Sequence, residues 1–304
     1  MLLPDLLHDF EQSLIRRDLS PRTIRAYHWA LHDLIVKGMR PARLHAVTDL
    51  TRDVLEEWQD SQIERGWSPR SRGLATTAVR QMIKFGDDAP KYGRELAPRL
   101  ERALAKVKQP EAEPHPISDA DLAKIQSYLL PLTSDLTREQ LRDRALFVYI
   151  LATGARVSEA LQPTRENYAL PTVIQKGGTK KTLNVPPQVV EIVGDYLAVR
   201  ADDSPVLWVI HKKRRHLEPM NPADVRGVWK RMSKELGLSY WTTHSIRHTC
   251  ATVLLAAGID HLVIAEHLGH HGVATIANYA KVGAAGRQRV LGTMDDLLQL
   301  PSAS

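Results

Sequence analysis

A proline-rich stretch near the middle of the chain most constrains its fold, because it divides the sequence into two folded parts. Residues 108–116 read KQPEAEPHP, with three prolines and few apolar side chains. Proline lacks a backbone donor and favours extended conformations, so such a stretch is typical of a linker. We therefore predict a linker over residues 108–117, a first domain over residues 1–107 and a second over residues 118–304.

The first domain has apolar residues at helical spacing throughout, so we predict that it is wholly helical. Two of its helices should begin alike, at Ser20-Pro-Arg22 and Ser68-Pro-Arg70, with a serine cap and a proline in the first turn. Arginines beside the unpaired N–H groups of a helix start can bind phosphate. Arg22, Arg25 and Arg70 are therefore candidate DNA contacts, and ordinary capping with solvated arginines is the alternative.

Composition narrows the class of protein. Hydrophobic residues make up 43% of the 304, which suffices for packed cores, and the net charge of +6 suits a polyanionic partner. Residues 1–110 hold 19 Lys and Arg against 15 Asp and Glu, so most of that charge lies in the first domain. The single cysteine excludes an internal disulfide framework and agrees with a reducing cytoplasm. No apolar run approaches the ~18 residues of a membrane span, so we expect no membrane partner.

The segment ATGARVSEAL, residues 152–161, contains the first candidate for binding an anion. An apolar run ends there in Thr153-Gly154, which predicts a helix, a tight turn and a new helix starting near Val157. Arg156 would project from this corner. The alternative is an exposed arginine that only pairs with Glu159, three residues further on.

The segment THSIRH, residues 243–248, opens a stretch that predicts an amphipathic helix ending at Gly258. His244 and Arg247 are three residues apart, so both lie on one face of this helix. The helix N-terminus near Thr243 would add unpaired N–H groups and a partial positive charge. A phosphate could be held there by side chains and helix dipole together.

Asp260 is predicted to cap the next helix, which Gly269 ends, so that His270 follows a helix terminus and can donate to a phosphate oxygen or transfer a proton. Several neighbouring histidines raise the alternative of a zinc site. We expect no metal, because the chain has no HExxH pattern, one cysteine, and spacings that match no common zinc motif.

Two further segments supply groups that can react. Tyr279, in ANYAKV, is a candidate nucleophile, although a tyrosine on a helix more commonly packs its ring. Residues 172–175 and 182–185 are predicted to form the strands of a β-hairpin around a basic turn. Lys176 in that turn is the candidate general acid. Lys180 and Lys181 fit contacts to backbone phosphate.

These residue types suit attack on a phosphodiester without a metal or other cofactor. The two non-bridging oxygens gain negative charge in the transition state, and arginine binds such oxygens with a planar fork that stays protonated. Two arginines are a sensible minimum for such a site, and Arg156 and Arg247 are the candidates.

The chain resembles the tyrosine recombinase family, which includes phage integrases and Xer-like proteins. Its motif elements ATGxRxSE, HxxRHT and LGH followed nine residues later by tyrosine match residues 145–282 closely. By this resemblance the catalytic set is Arg156, Lys176, His244, Arg247, His270 and Tyr279, with Glu159 as a supporting acid. One departure lies in the hairpin, where QKGGTKKTLNVP carries extra residues before Pro186.

The resemblance implies a mainly α fold with a small β-hairpin, arranged as a two-domain, C-shaped DNA clamp of a helical core-binding domain and a catalytic domain. It implies cleavage of duplex DNA through a 3′-phosphotyrosyl intermediate, without ATP or metal, and strand exchange through a Holliday junction. The implied partner is double-stranded DNA, bound by a dimer on each site and by a homotetramer on two sites. A related recombinase is a possible second partner.

Three questions stay open at this point. A type IB topoisomerase would use much the same chemistry, and an accessory protein could keep the fold and only bind DNA. The apolar residues after Tyr279 predict a final helix that docks on a neighbouring protomer, as in the family, or on its own body. The absence of a module before the first domain leads us to expect action on a short core site.

Overall fold

The computed structural model describes residues 2–36, 45–92, 98, 100–109, 115–129, 136–175, 177–239, 241–269 and 284–297. The chain divides into two compact units, Met1–Ala112 and Glu113–Ser304, and the boundary lies within the stretch predicted as a linker. The described elements are mainly helical with one two-stranded sheet, so the predicted fold class, mainly α with a small β-hairpin, is confirmed. None of the described helices is long and apolar enough to cross a membrane.

Four long helices form the described part of the N-terminal unit: α1 (Leu3–Arg16), α2 (Pro21–Val36), α3 (Arg52–Glu64) and α4 (Pro69–Asp88). Helices α2 and α4 pack on each other and on α1, and the core that they share with α3 buries large apolar side chains such as Phe10 and Trp58. Arg65, just after α3, forms a bidentate ion pair with the buried Asp33 of α2, at 2.7 and 2.9 Å. This pair ties α3 to α2.

The two predicted serine caps of the N-terminal unit are confirmed. The Oγ atoms of Ser20 and Ser68 accept hydrogen bonds from backbone N–H groups three residues on, each at 3.2 Å. Pro21 and Pro69 then occupy the first position of α2 and α4, where a missing N–H costs nothing.

The described part of the C-terminal unit contains the elements α5 (Asp119–Leu129), α6 (Arg138–Thr153), α7 (Val157–Ala160), β1 (Thr172–Ile174), β2 (Lys180–Thr182), α8 (Pro187–Arg200), α9 (Pro222–Glu235), α10 (Thr243–Ala256), α11 (His261–Leu268) and α12 (Ala284–Leu297). Helix α6 is central, because every residue from 141 to 153 is buried and both α8 and α10 pack against it. Its C-terminal end is therefore a rigid support. Helix α12 buries Val290 and Met294 against α8, α10 and α11 of its own unit.

The β-hairpin is antiparallel, and its register pairs Val173 with Lys181. The second strand begins two residues earlier than predicted and ends at Thr182. The reason is a tight turn, in which the Gln175 N–H donates to the Thr179 carbonyl at 2.8 Å, so pairing resumes at once. The chain then leaves the sheet, since Pro186 is already the N-cap of α8.

Candidate active site

The corner between α6 and α7 is built around Gly154. Its φ of 56° lies in the left-handed region, and a Cβ there would come within 2.3 Å of Leu268 Cδ2. Only glycine satisfies both the backbone conformation and this close approach. The turn therefore brings Arg156, the N-cap of α7, beside the end of α11.

Arg156 is paired with Glu159, as the alternative interpretation expected. Its Nη1 donates to Glu159 Oε1 at 2.7 Å, and its backbone N–H donates to Oε2 at 3.1 Å. Burial would raise the pKa of the Glu159 carboxyl, but these hydrogen bonds outweigh burial and the pKa is lowered. About a third of the Arg156 side chain (32%) stays exposed, so the pairing orients the guanidinium and leaves it accessible to a phosphate.

Arg247 is buried and joins three separate segments. Its Nη1 donates to the Gly154 carbonyl at 2.5 Å, and its Nη2 donates to the Leu268 carbonyl at 2.6 Å. Burial, followed by the nearby charge of Arg156, lowers the pKa of Arg247 to about 10, so it remains protonated at neutral pH. The guanidinium is thus fixed between the Arg156 corner and the end of α11.

The N-terminus of α10 presents His244 to solvent. Thr242 caps this helix by accepting a hydrogen bond from the Ser245 N–H at 3.3 Å, and the adjacent Thr243 accepts one from Trp229 at 2.9 Å. His244 is exposed whereas Arg247, one turn deeper on the same face, is buried. The predicted arrangement of both side chains on one helix face is confirmed.

The end of α11 packs closely against the β-hairpin. Asp260 caps this helix as predicted, and Gly269 ends it with a φ of 68°. A Cβ on Gly269 would lie 2.3 Å from Gln175 Nε2, so the glycine allows the hairpin to approach closely. The predicted site residues His270, Tyr279 and Lys176 lie outside the described residues.

His267 holds α11 against α6, because its Nε2 donates to the Ala152 carbonyl at 3.0 Å. Burial lowers the pKa of His267 to about 4, which keeps the ring neutral. Among the residues that the structure describes, no three His, Cys, Asp or Glu side chains form a group that could hold a metal.

Lys181 was predicted to contact backbone phosphate, but its ammonium lies inside the site. Its Nζ donates to the His267 carbonyl at 2.5 Å, and its charge interacts with those of Glu159, Arg247 and Arg156. Burial is the main reason that the pKa of Lys181 falls to about 8. The cross-strand pairing with buried Val173 is the signal that would have found it, because paired residues point to the same face.

The remaining candidates are exposed. Lys180, Arg22, Arg25 and Arg70 all lie at the surface, and none has an ion-pair partner among the described residues. Arg22 and Arg70 each follow a capped, proline-containing helix start. Such positions are compatible with phosphate binding, and the geometry alone assigns no ligand.

Residues 125–285 match the model of the phage integrase family. The chain is 28% identical over 288 residues to tyrosine recombinase XerA of Pyrococcus furiosus, covering 93% of this chain and 91% of that protein. It is also 28% identical to tyrosine recombinase XerC of Rhodospirillum centenum, covering 88% and 80%.

Solved structures share the fold. A lambda integrase dimer bound to a COC′ core site has a TM-score of 0.69 at 17% identity, covering 92% of this chain and 77% of that one. The XerH recombinase bound to its difH substrate has a TM-score of 0.63 at 18% identity, covering 90% and 79%.

The described part of the C-terminal unit brings together Arg156, Arg247, Lys181 and the buried Glu159 where the α6–α7 corner, the hairpin and the end of α11 meet, an arrangement suited to a class of enzymes that act on phosphodiesters. The family model covers more than half of the sequence. The chain belongs to the phage integrase family, and it is a tyrosine recombinase that acts in site-specific DNA recombination.

Proposed function

We propose that this recombinase cuts duplex DNA by attack of Tyr279 on a phosphodiester. The phenol gives up its proton to a nearby base or to solvent as its oxygen bonds to phosphorus, the P–O5′ bond breaks, and the departing 5′ oxygen takes up a proton. The product is a 3′-phosphotyrosyl bond and a free 5′-hydroxyl. Attack of a 5′-hydroxyl from another DNA reverses the chemistry, so two rounds exchange strands through a Holliday junction without ATP.

The position of Arg247 is the observation that supports this proposal most. Two backbone carbonyls hold its guanidinium at 2.5 and 2.6 Å, and those carbonyls belong to the two turns that carry Arg156 and Gly269. A cation fixed before the substrate arrives stabilises developing charge without reorganisation. We assign Arg156 and Arg247 to the non-bridging oxygens of the scissile phosphate.

The other polar groups follow from their positions. His244, exposed at the N-terminus of α10, is assigned as a donor to a phosphate oxygen. His270 is assigned as a second donor or proton carrier because it follows Gly269 in sequence. Glu159 orients Arg156 through two hydrogen bonds and takes no part in bond making.

Two hairpin lysines are assigned different tasks. Lys176 is the proposed general acid that protonates the departing 5′ oxygen, as predicted from its place in the sequence between the two strands. Lys181, whose ammonium is held at the end of α11 and interacts electrostatically with Glu159, Arg247 and Arg156, is proposed to supply positive charge to the bound phosphate. This division gives each lysine a separate experimental signature.

The assembly is proposed from the fold relatives. In their structures a lambda integrase dimer binds a core site and a tetramer binds a Holliday junction. We propose the same for this chain: a core-binding domain and a catalytic domain that both bind duplex DNA, a dimer on each site and a homotetramer on two sites. A related partner recombinase would replace half of the subunits. Action on duplex DNA of the chromosome would place the recombinase at the nucleoid, in the cytoplasm.

Trapping on a nicked suicide substrate tests the proposal. The substrate is taken from DNA flanking the gene, and a nick near the cleavage point lets the 5′ fragment diffuse away, so the covalent complex accumulates. Wild type should give an adduct on a denaturing gel, and Tyr279→Phe should bind the same DNA without any adduct. An adduct of equal yield with Tyr279→Phe would assign the nucleophile to another residue.

A further inference from the structure

A tight turn in the C-terminal unit presents an exposed group of cations away from the active site. Lys212, Lys213 and Arg214, here called the basic turn, are all exposed. None of the three has an ion-pair partner among the described residues. Three adjacent like charges repel one another, so their unpaired presentation favours a polyanionic partner.

Arg215, next in sequence, holds the basic turn in place. Its guanidinium donates to both carboxylate oxygens of Asp224 at 2.7 and 3.3 Å, and its Nε donates to Glu218 at 2.7 Å. The hydrogen bonds of Arg215 are thus made within the protein, whereas those of the preceding three cations are available to a ligand.

The backbone around the basic turn is equally constrained. Ile210 and Glu218 are joined by an N–H to carbonyl bond of 3.0 Å, and Leu217 donates back to Ile210 at 2.8 Å. Leu217 adopts a φ of 63°, a left-handed conformation that a branched side chain tolerates only when its surroundings enforce it. A turn held this firmly loses little conformational entropy on binding.

Helix α6 extends between the region next to the basic turn and the active site. Arg142, near its start, donates to the Val209 carbonyl at 3.1 Å, close before the basic turn. Gly154, just after its end, accepts from Arg247. Twelve residues of helix at 1.5 Å each place the two ends about 18 Å apart. The basic turn therefore follows a segment that contacts the opposite end of α6 from the Arg247 contact.

We propose that the basic turn binds backbone phosphates of duplex DNA outside the cleaved position. Because the segment before the basic turn contacts the opposite end of α6 from Arg247, these cations would contact phosphates other than the scissile one. This proposal rests on the proposed cleavage of duplex DNA, and it adds a second region of the protein that contacts the DNA. A rigid cluster of three cations contributes affinity without sequence preference.

Salt-dependent binding to a generic duplex tests the proposal. Fluorescence anisotropy gives the binding constant at several salt concentrations for wild type and for Lys212→Ala/Lys213→Ala/Arg214→Ala. Each lost phosphate contact lowers the slope of log K against log salt by about 0.9, so the triple variant should lose about 2 to 3. Lys212→Arg/Lys213→Arg, which keeps the charge, should retain the wild-type slope.

A matched control removes the same charge elsewhere in the C-terminal unit. Lys124, Lys230 and Lys234 are exposed on α5 and α9, and their triple alanine variant should change the slope by less than about 1. Equal losses from both triple variants would mean that only net charge matters, and an unchanged slope in the basic-turn variant would also overturn the proposal. Covalent trapping does not enter this assay, so failure of the proposed cleavage chemistry shows separately as a missing adduct.

Discussion

Arginines of the two units stand in opposite surroundings. Arg247 of the C-terminal unit is 5% exposed, and two carbonyls hold its guanidinium. Arg22, Arg25 and Arg70 of the N-terminal unit are exposed at or near helix starts and have no ion-pair partner in the described residues. All four arginines are cationic and suited to binding phosphate, but only Arg247 is held in place by hydrogen bonds within the described part of the chain.

Burying a guanidinium costs several kcal/mol of hydration, and fixed acceptors must offset that cost. Such an arrangement is useful where a charge must be in place as a transition state develops. Exposed arginines keep their hydration and act mainly by releasing counterions from DNA. The comparison therefore predicts that the two sets change different measurements. Cations fixed in the active site should affect the rate of cleavage, and solvated cations should affect affinity and its salt dependence.

The largest effect should come from Arg156→Lys. This variant keeps the positive charge but loses the planar fork that binds two oxygens, so the single-turnover cleavage rate should fall by about 10²–10³-fold. The slope of binding against salt should stay near that of wild type, because one cation replaces another. Rapid-quench measurement of adduct formation at saturating DNA checks the rate.

A second outcome would break the comparison. If Arg156→Lys cleaves at nearly the wild-type rate and binds DNA less tightly, the corner arginine acts in the same way as the exposed ones. The distinction between fixed and solvated cations would then lose its functional meaning in this chain.

Removing the Lys181 ammonium should have the next largest effect. Lys181→Met keeps the length of the side chain and removes one charged donor worth ~1.5–3 kcal/mol, so cleavage should slow by about tenfold to a hundredfold. Lys180→Ala, on the same strand but exposed, is the matched control and should slow cleavage much less. Equal losses for both variants would remove Lys181 from the site.

The pH dependence of cleavage also tests the role of Lys181. The pKa of Lys181 is lowered to about 8, so this group loses its charge as the pH rises through that value. Cleavage at subsaturating DNA, which reports the pKa of the free protein, should decline above about pH 8 in wild type and hold to higher pH in Lys181→Arg. Identical profiles would contradict the assignment.

Stability gives an independent test, with the sign set by linkage. Because the folded pKa of Lys181 lies below its ordinary value of 10.5, the unfolded chain binds more protons between about pH 8 and 10.5. The free energy of unfolding of wild type should therefore rise with pH in this window relative to Lys181→Met. Chemical denaturation of both proteins across the window measures it.

Local chemistry explains what could be predicted from the sequence. Ser68 and Asp260 were recognised as helix caps because a cap involves only neighbouring residues, and their side chains do accept the expected bonds at 3.2 and 2.7 Å. Gly154 and Gly269 were likewise recognised as helix ends. The α6–α7 corner and the α10 face followed from periodicity.

Contacts between distant segments could not be predicted in the same way. The acceptors of Arg247 are the carbonyls of Gly154 and Leu268, which lie 93 and 21 residues away in the sequence. A local sequence pattern does not predict such contacts. Lys181 was assigned to the surface because its side depends on strand register, and a shift of one residue exchanges the two faces. Lys176, His270 and Tyr279 lie outside the described residues, so their roles stay predictions.

The smallest effects should come from the exposed arginines of the N-terminal unit. Single changes of Arg22, Arg25 or Arg70 to alanine should each reduce the slope of log K against log salt by about 1, because each removes one phosphate contact. Arg52 is the matched control, since it is exposed in the same unit but paired with Glu56 at 2.7 Å. Arg52→Ala should leave the slope close to that of wild type. If all four variants change the slope equally, the capped helix starts contribute only general charge. A fall in the cleavage rate at saturating DNA as large as that of Arg156→Lys would instead place these exposed arginines among the groups that stabilise the transition state.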